Sequence, residues 1–167
     1  MNMQNRKLVF MAQAAMIAAA YVALTVVFAP FSFKEIQVRI AEALTILPVF
    51  TEAAVPGLFV GCLLGNTLAG AALPDIIFGS LATLIGAVGT RLLRDAHPFL
   101  APLPPIWANT IIVPWVLKYA YGVDLPIPFM MLTVGIGEVV SCGVLGLVLY
   151  TALKKRRSQI FSEENAE

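Results

Sequence analysis

Of 167 residues, 59% are hydrophobic and only 13% are charged, and the mean hydropathy is +0.86. Ordinary soluble domains carry roughly 25% charged residues, so this composition describes an integral membrane protein whose apolar runs no small water-soluble core could hide. A net charge of +1, with no basic face of interleaved aromatics, excludes a nucleic-acid partner.

The chain opens on an apolar run over 8–28, long enough to cross a bilayer at about 20 residues per span. The run is too long for a signal-peptide core and has no clear cleavage site, so it reads as structure. The breaker stretch "APFSFK" predicts a loop after it. The segment 40–51 is short and ends at Pro48 and Glu52, which leaves a short helix and a re-entrant segment both open. Spans follow at 53–73, 103–121 and 127–153. The run 75–90 is slightly short and becomes adequate if Arg91 and Arg94 snorkel to the interface. Loops are marked by "AALPD", "HPFLAPLPP" and "YGVDLPIP", and Pro114 predicts a kink within its helix. The polar stretch "SQIFSEENAE" reads as a tail, giving a single membrane domain over 1–155 and a cytoplasmic tail over 156–167.

Charge asymmetry orients the spans. With six crossings and the N-terminus inside, Arg6, Lys7, Arg91, Arg94, Lys154, Lys155, Arg156 and Arg157 are cytoplasmic, leaving Lys34, Arg39 and Lys118 outside. That is the positive-inside bias. Five crossings give the same score but require export of a charged N-terminus. The expected fold is an all-α compact bundle of six transmembrane helices with both termini cytoplasmic.

No nucleotide-binding fingerprint and no Ser/His/Asp set is present, and His97, beside Arg94 and Asp95, reads as a solvated interfacial side chain. No enzyme activity and no cofactor is expected. Cys62 and Cys142 lie in apolar runs without metal-ligand spacing and read as packed thiols. Ala15, Ala19 and Ala23 form one small-residue stripe and Gly57, Gly61 and Gly65 another; such stripes let helices approach closely in lipid. The glycine stripe reads as packing within the protein, on a third helix expected to lie centrally. For the alanine stripe, internal packing and docking of a separate membrane subunit stay open.

Polar residues at membrane depth usually face a cavity or a partner, because a charge at a helix centre costs about 2.5–3.5 kcal/mol. The candidates are Arg39, Glu42, Asn66, Asp75, Asn109 and Glu138. Glu138, in mid-span, is the leading ligand or ion group. Asp75 is explained equally by an N-cap after Pro74, Asn66 and Asn109 by bonds to neighbouring carbonyls, and Arg39 with Glu42 by an intrahelical pair. In the six-span arrangement Arg39, Glu42, Asn66 and Asp75 gather near the outer face, with Phe31, Phe33, Phe78, Tyr119 and Tyr121 nearby in sequence. Such a set suits a small planar hydrogen-bonding solute better than a bare metal ion.

The stretches "IQVRIAEALTILPVFTEAAVPGLFVGCLLGN", "DIIFGSLATLIGA" and "IGEVVSCGVLG", with the alanine stripe on the first helix, closely resemble the QueT family of S components of energy-coupling factor transporters. The resemblance runs from about 8 to 155 and favours six spans over five. It implies capture of a queuosine precursor, a deazaguanine base or relative. The implied partners are a transmembrane coupling subunit and two cytoplasmic ATPase subunits. On that reading Glu138 or Asp75 grips the donor edge of the base with Asn66 assisting, Glu42 and Arg39 shape the outer mouth, the loop "APFSFKEIQ" closes over it, and Ala15, Ala19 and Ala23 dock on the coupling subunit. The alternatives are an ion-coupled carrier with Glu138 as its proton site, although no repeated halves are visible, and a non-transport membrane scaffold.

Overall fold

The computed structural model describes residues 3–32 and 38–155, with side chains from 3–28 and 38–155. All regular structure among them is helical: α1 (Met3–Ser32), a 3-10 helix (Ile40–Val49), α2 (Ala54–Leu68), α3 (Leu73–Leu92), a 3-10 turn (Pro98–Leu100), α4 (Leu103–Ala120), α5 (Ile127–Glu138), a π-helical segment (Val139–Leu145) and α6 (Gly146–Lys154). The last three form one rod. Four rods, Met3–Phe28, Leu73–Leu92, Pro98–Ala120 and Ile127–Lys154, are long and apolar enough to cross a membrane. The 3-10 helix and α2 are apolar but shorter. The α1 helix continues through "APFS" to Ser32, beyond the loop expected to begin at Ala29, and α4 runs on through Pro114.

The doubtful segment 40–51 is the centre of the bundle. Ala41, Glu42, Ala43, Thr45, Ile46, Leu47 and Pro48 are all buried, so this helix is enclosed on every side. Its winding explains its reach: at about 2.0 Å per residue, ten 3-10 residues cover roughly 20 Å, against about 15 Å for an α-helix. In a 3-10 helix side chains at i and i+3 eclipse, so Arg39, Glu42, Thr45 and Pro48 follow one line along it. The expectation that α2 lies centrally is therefore corrected, for α2 buries one face and leaves Val60, Leu63, Leu64 and Leu68 exposed on the other.

The glycine stripe packs internally, as expected. A Cβ on Gly57 would lie 2.7 Å from the Ala14 carbonyl oxygen, one on Gly61 would lie 3.0 Å from Ala18 Cα, and one on Gly65 would lie 3.1 Å from Thr25 Cβ. Contacts rising together in both helices make α1 and α2 parallel, which requires the 3-10 helix between them to cross back. It does so beside α3. Arg39 ties one end to Asp75 at the start of α3, and Arg91 at the other end of α3 bonds the Pro48 carbonyl and the Glu52 carboxylate. Phe50, Tyr21, Leu47, Leu58 and Cys62 join the apolar core, and Phe50 stacks on Tyr150.

Candidate functional site: a buried polar cage under an ionic clasp

Two layers of polar side chains converge inside the bundle. In the deeper layer Glu42, on the central 3-10 helix, and Glu138, at the junction of α5 and the π-helical segment, are 1% and 3% exposed. Oxygens of both carboxyls and Cys142 Sγ lie within 4.8 Å of one another. Tyr21 donates from α1 to Glu42 Oε1. Thr83 Oγ1 lies 3.0 Å from the Gly79 carbonyl oxygen and 3.4 Å from both Glu42 Oε1 and Cys62 Sγ. The Cys142 thiol reaches Glu138 Oε2 at 3.1 Å, and Thr45 Oγ1 donates to the Glu42 carbonyl at 2.6 Å. The π-helical segment carries Ser141 and Cys142 inward beside Glu138; such wide turns are rare and concentrate at functional positions.

The cage is not self-satisfied. Glu42 Oε2, Asn109 Nδ2 and Ser141 Oγ are buried without a hydrogen-bond partner among the described residues, as is Thr110 Oγ1 nearby on α4. Buried polar atoms are normally paired because each orphan costs about 1–3 kcal/mol. Asn109 is 2% exposed, and its side-chain amide is turned to both carboxyls as a donor without closing a well-formed hydrogen bond to either.

The second layer sits one 3-10 turn away. Arg39 Nη2 lies 3.3 Å from Asp75 Oδ2 and 3.4 Å from Oδ1. Tyr121 donates to Asp75 Oδ2 at 2.9 Å and accepts from the Ala72 amide at 3.1 Å. This clasp joins the 3-10 helix, α3 and the end of α4. Asp75, Gly79 and Thr83 follow one another at four-residue steps along α3, leading from clasp to cage. Gly79 leaves room for the side chains between the two layers, since a Cβ there would lie 3.1 Å from Asp75 Oδ1 and 3.3 Å from Asn66 Nδ2.

The sequence candidates therefore sort differently from their spacing. Arg39 pairs across to Asp75, not along its helix to Glu42. Asp75 is not an N-cap: Ala72 holds that position and the Asp75 carboxylate is spent on Arg39 and Tyr121. Asn66 bonds Cys62 Sγ at 3.5 Å. Of the aromatic candidates Tyr121 joins the clasp, whereas Phe78 and Tyr119 are 50% and 78% exposed. Phe33 lies outside the described residues, as do residues 33–37 of the expected closing loop and the tail from 156 on; the Phe31 side chain is likewise not described. Tyr21 was missed because a lone tyrosine in an apolar helix carries no polar pattern. The metal-ligand set Glu42, Glu138 and Cys142 was hidden because one member comes from a distant element. Those three could hold a cation, but the Asn109 donor facing the same space suits an organic ligand carrying both donors and an acceptor.

At the opposite end Glu52 bonds Arg91 at 2.7 Å with Arg94 at 3.8 Å. The Arg91 bond and charge hold the Glu52 carboxyl below the usual range. His97 is exposed, and its Nδ1 accepts from the Phe99 amide at 3.5 Å. Ala15, Ala19 and Ala23 are exposed on α1, whereas Ala14, Ala18 and Tyr21 face α2 and the core. A groove lined by Ile106, Trp107, Thr110, Met131, Gly135 and Val139 is almost wholly apolar and lies on the outside of α4 and α5.

A membrane protein, all-helical among its described residues, with buried carboxyl, amide and hydroxyl groups between its rods has the make-up of a membrane transport protein. The chain belongs to the QueT transporter family, whose model matches residues 11–155. No curated protein and no solved structure matches it.

Proposed function

We propose that this chain is the substrate-binding S component of an energy-coupling factor importer, capturing a queuosine precursor of the deazaguanine type from outside the cell. The carrying observation is the buried pair Glu42 and Glu138, with Glu42 Oε2 left unmatched inside a QueT-family protein. A guanine-like base presents a ring N–H beside an exocyclic amine, and a carboxylate accepts both. The geometry supports an exchange of roles relative to the sequence expectation: Glu42 and Glu138 grip the base, while Arg39, Asp75 and Tyr121 close the mouth.

On this reading all six segments cross the bilayer. The Arg39–Asp75 end faces outward, and the Glu52–Arg91–Arg94 end with both termini faces the cytoplasm, in keeping with the positive-inside bias. Ala15, Ala19 and Ala23 offer a flat face for the coupling subunit. Docking there, with ATP hydrolysed by two partner ATPases, tips the protein and empties the cage inward.

The test is uptake of labelled precursor by cells or vesicles with and without the three coupling subunits. Dependence on them supports the proposal; uptake by this chain alone that collapses with the proton gradient makes it an ion-coupled carrier instead. Glu138→Gln should weaken precursor binding, and binding within twofold of wild type would remove Glu138 from the grip. Ala19→Trp should abolish uptake while sparing binding.

A further inference from the structure

We infer that Asn109 is the residue that reads the ring carbonyl of the substrate, so that the cage selects an oxo (lactam) base over its amino counterpart. The inference rests on the deazaguanine reading above and deepens it. Three observations carry it.

First, Asn109 comes from α4 and is 2% exposed, yet its Nδ2 closes no hydrogen bond among the described residues. An amide set against two acidic groups turns its NH₂ toward them, because carboxyl oxygens repel its own oxygen. Second, the facing orphan is of opposite kind: Glu42 Oε2 is an acceptor lacking a donor. An acceptor and a donor both unmatched in one buried space call for a ligand edge with a donor next to an acceptor. Third, the Ser141 hydroxyl and the nearby Thr110 hydroxyl are also unmatched, but a hydroxyl donates or accepts alike and does not tell an oxo from an amino edge, and the other cage groups are engaged. Thr45 is spent on the Glu42 carbonyl, the Cys142 thiol on Glu138, and Asn66 on Cys62. A bare cation would satisfy Glu42 Oε2 but would confront the Asn109 NH₂ group. A lactam edge satisfies both: its N–H and exocyclic amine bond a carboxyl while the adjacent C=O accepts from Asn109 Nδ2. An amino group in place of that C=O would set donor against donor at Asn109 and would also turn the ring N–H read by the carboxyl into a bare acceptor, and a site built around hydrogen bonds rejects such an analogue strongly.

The experiment is titration of the purified full-length protein in lipid nanodiscs with 7-deazaguanine and with 2,6-diamino-7-deazapurine. Wild type should bind the oxo compound at least tenfold more tightly. Asn109→Leu, near-isosteric and without a donor, should reduce that ratio at least threefold, mainly by weakening the oxo compound; the preference left over is the carboxyl's reading of the ring N–H. Should Asn109→Leu not fold, Asn109→Ser and the wild-type ratio still decide the matter. Equal binding of both compounds by wild type overturns the role of Asn109 and leaves the deazaguanine reading standing. Binding of neither overturns both. A preference undiminished in Asn109→Leu assigns the carbonyl to another group and overturns the inference alone.

Discussion

The Tyr21 hydroxyl donates to Glu42 Oε1, joining the long first helix to the central 3-10 helix at the deepest point of the polar cage. The same helix presents Ala15, Ala19 and Ala23 outward, so one rod connects an exposed small-residue face with a buried carboxyl. Leaving a buried polar atom without its partner costs about 1–3 kcal/mol. Tyr21→Phe, which preserves the ring and leaves Glu42 with only the long Thr83 contact, should destabilise the protein by about that amount in thermal unfolding in detergent. An unchanged melting temperature would mean the bond carries no net stability.

Glycine positions separate cleanly by their surroundings. Gly61→Ala places a Cβ 2.8 Å from Tyr21 Cβ and 3.0 Å from Ala18 Cα, so the α1–α2 contact must open, at a cost of about 1–3 kcal/mol. Gly143→Ala meets only Val139 Cγ1 at 3.8 Å and should be neutral or slightly stabilising. Comparing the two melting temperatures tests the parallel α1–α2 packing; equal effects would contradict it.

Removing one partner of the clasp leaves Arg39, whose side chain is only 11% exposed, without its carboxylate. Breaking a buried pair in this way costs about 3–5 kcal/mol; Arg39 retains some solvent, so Asp75→Ala should fall near the lower end. Tyr121→Phe removes two hydrogen bonds, to Asp75 and from the Ala72 amide, and should cost about 1–2 kcal/mol. If the clasp closes the mouth, both variants should also speed release of bound precursor in a stopped-flow chase, Asp75→Ala more than Tyr121→Phe.

Ser141 is fully buried with its hydroxyl unmatched. Replacing it by alanine removes an uncompensated polar group, so Ser141→Ala should raise stability by up to about 1–2 kcal/mol. If the hydroxyl serves a ligand, the same variant should bind precursor less well, trading function for stability. A clear loss of stability would show that Ser141 already has a partner.

The Glu52 carboxyl, held below its usual value by Arg91, sets the sign of a pH effect. A depressed folded pKa means the pair stabilises above the ordinary carboxyl value of about 4.3 and loses that contribution as pH falls through the folded value. Glu52 is 64% exposed, so the effect is small. The stability difference between wild type and Glu52→Gln should be present at neutral pH and vanish in acid; a difference that grows on acidification has the wrong sign.

Periodicity and charge placement carried the residue-level expectations a long way. Three of the four long apolar rods followed from run length, and internal packing of Gly57, Gly61 and Gly65 followed from their spacing, because both are local properties of a helix in lipid. Leu73–Leu92, expected to be slightly short, is the fourth, whereas the expected span 53–73 holds only the 15-residue helix Ala54–Leu68. Burial of Glu138 followed from the cost of a mid-span charge. The segment 40–51 resisted assignment because an apolar decapeptide says nothing of its winding; only five neighbouring elements closing round it make it the central helix.

By itself, then, the sequence determined the solvent, the helical class and the family. The lipid-compatible composition admits little else, and the family pattern is written in contiguous residues. Which acid meets which base was decided by tertiary structure alone. Arg39 and Glu42 stand three apart and look like a pair, yet the 3-10 helix, returning antiparallel to α1 and so alongside α3 in the same direction, gives Arg39 to Asp75 and carries Glu42 to Tyr21, Asn109 and Glu138. Pairings between distant elements depend on how the rods are arranged in space, and no spacing along one rod encodes that.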